Sequence, residues 1–148
     1  VGANRDVERN RVAATFSKEE KAAMRAAVAE KKAAQEGADA AAACDDAIAA
    51  MTGTDKQLAE AFHQLVKENT SLAAKTWYGM PAYTDAEGKV VVAFKPGSKF
   101  KIRYASIEFQ QAAHLDDGDV WPVSFALAKL DDAGTKRVAD ILKAAVGD

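Results

Sequence analysis

Lys75-Thr76-Trp77-Tyr78-Gly79-Met80-Pro81-Ala82-Tyr83 runs through Thr84-Asp85-Ala86-Glu87-Gly88 into Lys89-Val90-Val91-Val92-Ala93-Phe94. Within this stretch the hydrophobic period changes from helical to extended. Trp77 to Tyr83 is aromatic and reads as one extended segment, with Pro81 confined to an edge, a strand start or a bulge because it lacks an amide donor. The run from Thr84 to Gly88 is a turn signal, and the β-branched run Val90–Val92 suits a buried strand. Pro96-Gly97 marks another turn. Lys99-Phe100-Lys101-Ile102-Arg103-Tyr104 then alternates, placing Phe100, Ile102 and Tyr104 on one face and Lys99, Lys101 and Arg103 on the other. Three strands joined by short turns predict an antiparallel meander.

Working outward, the N-terminal side is helical. Residues 1–15 have no hydrophobic period and read as a mobile arm. Ser17-Lys18-Glu19-Glu20 has the form of a capping box, so an alanine- and lysine-rich helix is expected to about Gln35, ended by Gly37. A second helix over about Ala38–Thr52 carries Ala41, Cys44, Ile48 and Met51 at helical spacing. Thr54-Asp55-Lys56-Gln57 repeats the capping pattern, and Leu58, Phe62, Leu65 and Val66 then share one face. On the C-terminal side, Ser106 to about His114 reads as a short helix, Asp116–Asp119 as a loop and Pro122–Lys129 as a last strand. A final helix capped by Asp131 or Asp132 carries Val138, Ile141, Leu142 and Ala145. The expected class is α+β: an antiparallel sheet of about four strands packed against helices, with an extra alanine-rich N-terminal helix. The expected organisation is an arm over 1–15, a helical extension over 16–43 and an α+β domain over 44–148.

At 148 residues the chain suits a single core. Much of its 49% hydrophobic content is alanine in the first half, which buries little area, so the core must come from about Cys44 onward. The net charge of −2 argues against a general binder of phosphate backbones, and no nucleic-acid partner is expected. A single cysteine precludes an internal disulfide and fits a reducing compartment. No apolar run reaches the length of a membrane span, and no apolar block follows Arg5, Arg9 and Arg11 as in a signal peptide, so the cytoplasm is the expected location.

Chemistry-bearing motifs are few. His63 and His114 have no cysteine or histidine at ligand spacing, and Cys44 on an apolar stripe is a small core residue. Asp116-Asp117-Gly118-Asp119 gathers carboxylates, but the alternation and distal glutamate of a calcium loop are missing. With no base–nucleophile pair and no cofactor motif, an enzymatic reading has the least support. Two features remain. Trp77, Tyr78, Met80, Pro81 and Tyr83, joined by Trp121, can line an apolar pocket. Lys99, Lys101 and Arg103 on one sheet face can supply the charge that draws a carboxylate, a phosphate or an acidic partner. The simpler accounts are core packing for the first and a solvated or protected edge for the second.

On Lys75–Tyr83, Lys99–Tyr104 and Leu115-Asp116-Asp117-Gly118 leading to Trp121-Pro122, the chain resembles the YdhG-like family of the YjbR/CyaY-like superfamily, small bacterial proteins of unassigned function. The resemblance spans about Cys44 to Val146. It implies a compact α+β domain and carries over no catalytic residue. The superfamily includes frataxin, so the resemblance also implies an alternative reading as an intracellular iron chaperone. Asp116, Asp117, Asp119 and Glu108 would then be the candidate iron ligands. Frataxins use an acidic ridge on the first helix and adjacent strand, whereas the alternating segment here is basic. The leading expectation is therefore a module that binds a small molecule or a protein, without a cofactor. A homodimer is compatible with an exposed helix or sheet edge.

Overall fold

The computed structural model describes residues 17–147; the arm expected over 1–15 lies outside them. Helix α1 spans Lys18–Ala49, α2 spans Gly53–Asn69 and α3 spans Asp132–Ala145. Five strands, β1 (Ala73–Trp77), β2 (Met80–Thr84), β3 (Val90–Lys95), β4 (Ala105–Phe109) and β5 (Ser124–Leu127), form one sheet in the order β1-β2-β3-β4-β5. Every neighbouring pair is antiparallel. The protein is α+β, with five strands where about four were expected. The chain divides into two compact units, one ending at Glu36 and the other beginning at Gly37.

Ser17 caps α1 as expected, its Oγ accepting from the Glu20 amide at 3.1 Å. The helix does not stop at Gly37, so the two helices expected on either side of it are one. An interior glycine costs about 1 kcal/mol against alanine, too little to end a helix whose flanks are alanine-rich. A left-handed cap or a proline is what stops a helix, and Gly37 has no positive φ. Helix α2 starts earlier than its capping pattern suggested. Thr52 is its N-cap without a side-chain bond, and the Lys56 amide donates to the Thr52 carbonyl at 3.4 Å.

The aromatic stretch is a hairpin rather than one extended segment. Trp77 pairs with Met80, and the two residues between them, Tyr78 and Gly79, have φ of 50° and 75°. Two positive φ values in a two-residue loop match the right-handed twist of the flanking strands. Gly79 adopts this at no steric cost; Tyr78 does not. Pro81 lies near the start of β2, before the β2–β3 register begins at Ala82, so its missing donor removes no bond on that side.

The core forms between the sheet and the helices. Cys44 and Ile48 of α1, Leu58, Phe62, Leu65 and Val66 of α2, and Val138, Leu142 and Ala145 of α3 are buried together with Tyr83, Val92, Phe94 and Ile107 of the sheet. Phe62 anchors it: its ring meets Tyr83 edge-on at 5.6 Å and Phe94 at 6.3 Å, geometries that favour aromatic pairs. Asp131 caps α3 by accepting from the Gly134 amide at 2.8 Å. It is one of the two residues expected to do so.

Two expectations about the sheet fail for one reason. Lys99–Tyr104 is not a strand; Ser98–Phe100 is a single 3-10 turn. The Gly97 carbonyl accepts from the amides of both Phe100 and Ile102, at 3.2 and 2.9 Å, and Lys101 turns to φ 55°. Those amides are therefore committed to the turn, not to a ladder. The strand that pairs with β3 is Ala105–Phe109, which the sequence suggested as the opening of a helix. Ser106-Ile107-Glu108-Phe109 suits either state locally, and pairing on both sides decides it.

Candidate functional site

The Pro96–Lys99 turn is held by a carboxylate from another element. Asp55, in the first turn of α2 and 8% exposed, accepts from the amides of Gly97 and Ser98, each at 3.0 Å. Burial pushes its pKa up, but the Ser98 hydroxyl and amide and the Gly97 amide outweigh it and hold the group below the ordinary carboxylate value. This latch separates two cavities. One, of about 330 Å³, is lined by Ala47, Ala50 and Met51 at the end of α1, by Thr52 and Asp55, and by Gly79, Pro96, Ser98 and Lys99. The other, of about 360 Å³, includes Thr54, Ser98, Ile102, Arg103 and Tyr104 in its wall.

Lys99 reaches across to the hairpin: a Cβ on Gly79 would sit 3.0 Å from its Nζ. The first cavity thus has an apolar floor of alanine, methionine and proline, hydroxyls from Thr52 and Ser98, and an ammonium beside the tight turn of the hairpin. Among the described residues, no carboxylate oxygen lies within 4.0 Å of Lys95, Lys99, Lys101 or Arg103. A larger groove of about 580 Å³ beside α3 carries Lys136 and Arg137 together with Asp117 and Asp140.

The residues singled out from the sequence are only partly brought together. The expected row Lys99, Lys101 and Arg103 does not share a sheet face, because the segment is a turn. Lys99 faces the first cavity, Arg103 lines the second and stacks on Tyr104 at 5.2 Å, and Lys101 is exposed at the exit of the turn. The expected ring-lined pocket is also divided. Pro81 and Tyr83 are fully buried, Met80, Trp77 and Trp121 are partly buried, and Tyr78 is exposed. Glu108 lies on β4, where it accepts from Ser106 Oγ at 2.9 Å, and Asp116, Asp117 and Asp119 are exposed in their loop. Among the described residues, no three His, Cys, Asp or Glu side chains converge as a metal site would require.

Sequence reasoning missed Asp55, Met51 and the alanines at the end of α1. An aspartate in a first turn looks like any residue that complements the helix dipole, and Ala47 and Ala50 give no signal at all.

It also missed a polar chain that runs from the core to the surface at Asp45. Tyr83 Oη and His63 Nδ1 are 3.0 Å apart, His63 Nε2 is 3.5 Å from Asp45, and the Tyr83 hydroxyl also bonds the Cys44 thiol. Burial raises the pKa of Tyr83, and the neighbouring Cys44 and Asp45 add to it. Burial likewise raises that of Cys44. Both stay protonated and act as hydrogen-bonding groups rather than nucleophiles.

For His63, burial lowers the pKa, Asp45 opposes that and Lys67 adds to it, leaving the group below its ordinary 6.5. The unfolded chain then binds the proton more readily. This contribution to stability is complete above the unfolded-state value and is lost as pH falls through the folded-state value. Urea unfolding of the wild type should therefore show a stability loss on acidification below about pH 6.5 that is absent in His63→Gln. Parallel profiles in the two proteins would count against it.

No family model, curated protein or solved structure matches this chain. No helix among the described residues is long and apolar enough to cross a membrane.

Proposed function

We propose that this chain is a cytoplasmic small-ligand-binding protein whose site is the cavity between the end of α1, the β1–β2 hairpin and the Pro96–Lys99 turn. The observation that carries this reading is Lys99, an ammonium without a carboxylate partner within 4.0 Å among the described residues, at a cavity with an apolar floor. An apolar floor with one cation and the Thr52 hydroxyl suits a small amphiphilic anion: the tail lies on Ala47, Ala50 and Met51, and the head lies between Lys99 and Thr52. Asp55 also lines the cavity, and the two amides it accepts from offset part of its repulsion of the head. The volume of about 330 Å³ sits at the small end of ligand pockets, so a short-chain carboxylate is the appropriate probe.

The resemblance to the YdhG-like family supports the same region. Its most specific stretch, Tyr78-Gly79-Met80-Pro81, is the hairpin tip over which Lys99 lies.

Octanoate titrated against the protein by calorimetry should bind saturably with Kd on the order of 1 mM, the affinity allowed to so few atoms. Lys99→Gln should weaken it about fivefold, and Ala47→Leu, which fills the floor, about tenfold or more. Unchanged affinity in Ala47→Leu would remove the cavity from consideration.

A further inference from the structure

A second surface adjoins that cavity on the same turn and hairpin and shares Lys99 with it. Tyr78 is 81% exposed, yet it occupies a position of φ 50° that asparagine, aspartate or glycine takes with less strain. Within the chain its ring gains an edge contact with Trp77, at 4.9 Å between centroids, while most of its surface meets solvent. Folding alone gives no reason for a tyrosine there, and strain held at an exposed residue points to a role outside the fold.

The neighbouring surface is cationic and apolar. Lys99 Nζ lies beside Gly79, and Lys95 and Lys99 sit over the Phe100 ring at 4.8 and 5.8 Å. Phe100 itself is 41% exposed. The only other non-glycine residue with positive φ among those described, Lys101, leads out of the same turn.

We infer that Tyr78, Phe100, Lys95 and Lys99 form a docking surface for an acidic segment of another protein, an extended stretch whose carboxylates flank one aromatic or large apolar side chain. Cations without carboxylate partners supply the charge complementarity. A tyrosine beside an aromatic–cation cluster is the composition that anchors protein interfaces. A single-stranded nucleic acid fits less well. It needs a succession of open rings on which successive bases stack, whereas Phe100 is covered by two lysine heads and Tyr78 is the one widely open ring of the cluster. The net charge of −2 opposes it further.

Fluorescence anisotropy tests this on the intact chain. The probe is a short labelled peptide of aspartates and glutamates around a central phenylalanine, set against an all-glutamate peptide and an oligothymidylate of matched charge. The phenylalanine peptide should bind about tenfold more tightly than either comparator. Tyr78→Asn should weaken that binding about tenfold while raising the melting temperature by about 3 °C, because asparagine relieves the strained turn. Lys95→Gln should weaken binding about threefold and flatten its salt dependence. Three results would overturn the inference: tighter binding of the oligothymidylate, unchanged peptide affinity in Tyr78→Asn, or a melting temperature lowered by that substitution, which would make the ring structural.

Discussion

Gly97→Ala should destabilise the protein by about 3 kcal/mol and lower its melting temperature by about 10 °C. Gly97 has an ordinary φ of −69°, so conformational freedom is not why glycine stands there. A Cβ would lie 2.6 Å from the Tyr104 carbonyl oxygen, 2.8 Å from that of Ile102 and 2.8 Å from the Tyr104 carbonyl carbon. All three are backbone atoms. They cannot rotate away, and the Ile102–Tyr104 segment is itself fixed by the Ile102 amide donating back to the Gly97 carbonyl at 2.9 Å. Relief requires opening the turn, which also displaces the Gly97 amide from Asp55. The informative comparator is Gly37→Ala, where nothing lies within 4 Å of the added carbon and the helix should gain about 1 kcal/mol. Thermal unfolding of the two variants beside the wild type measures both. A Gly97→Ala protein as stable as the wild type would mean that the turn yields freely, and the cavity wall it forms would lose its rigidity as well.

Asp55→Ala should cost about 3 kcal/mol and abolish octanoate binding together with it. The substitution leaves the amides of Gly97 and Ser98 without the acceptor each now meets at 3.0 Å, one of them in a buried setting. Pro96, Ser98 and Lys99 all line the proposed ligand cavity, so freeing the turn removes its wall. Asp55→Asn keeps the shape but offers one acceptor oxygen where two are used, and should fall between. The carboxylate also sets an acid limit. Its folded-state pKa lies below the ordinary 3.8, so the unfolded chain takes up the proton first. The stabilisation is complete above that ordinary value and drains away as pH falls through the folded-state value. Urea midpoints measured from neutral to strongly acidic pH should therefore fall more steeply in the wild type than in Asp55→Asn. Equal slopes would show that the latch contributes nothing to stability.

Much of this fold was legible because its strongest elements agree at every level. Leu58, Phe62, Leu65 and Val66 repeat at helical spacing and are all buried. Val90 to Phe94 is β-branched and aromatic and is a central strand. Asp131 precedes a periodic run and caps it. The failures occur where a local pattern suits two states. Lys99–Tyr104 alternates like a strand, yet Phe100 and Ile102 remain 41% and 38% exposed, since neither found a partner sheet. Ser106–Phe109 opens like a capped helix, but β3 and β5 claim it from either side. The site was legible only in part. Lys99 and the Tyr78-Gly79 turn were marked by chemistry and by glycine, whereas Ala47, Ala50, Met51 and Asp55 matter through position alone.

The sequence by itself determined the class of the fold, the amphipathic faces and the start of α1 at Ser17, and it narrowed the cap of α3 to Asp131 or Asp132, because each depends on neighbours within a few positions along the chain. Only the tertiary structure decided that Asp55 would hold a turn 42 residues away, that Lys99 would meet Gly79, and that Tyr83 would turn inward to His63. Those contacts join elements distant in sequence. Their geometry follows from how helix and sheet stack, which no local spacing encodes.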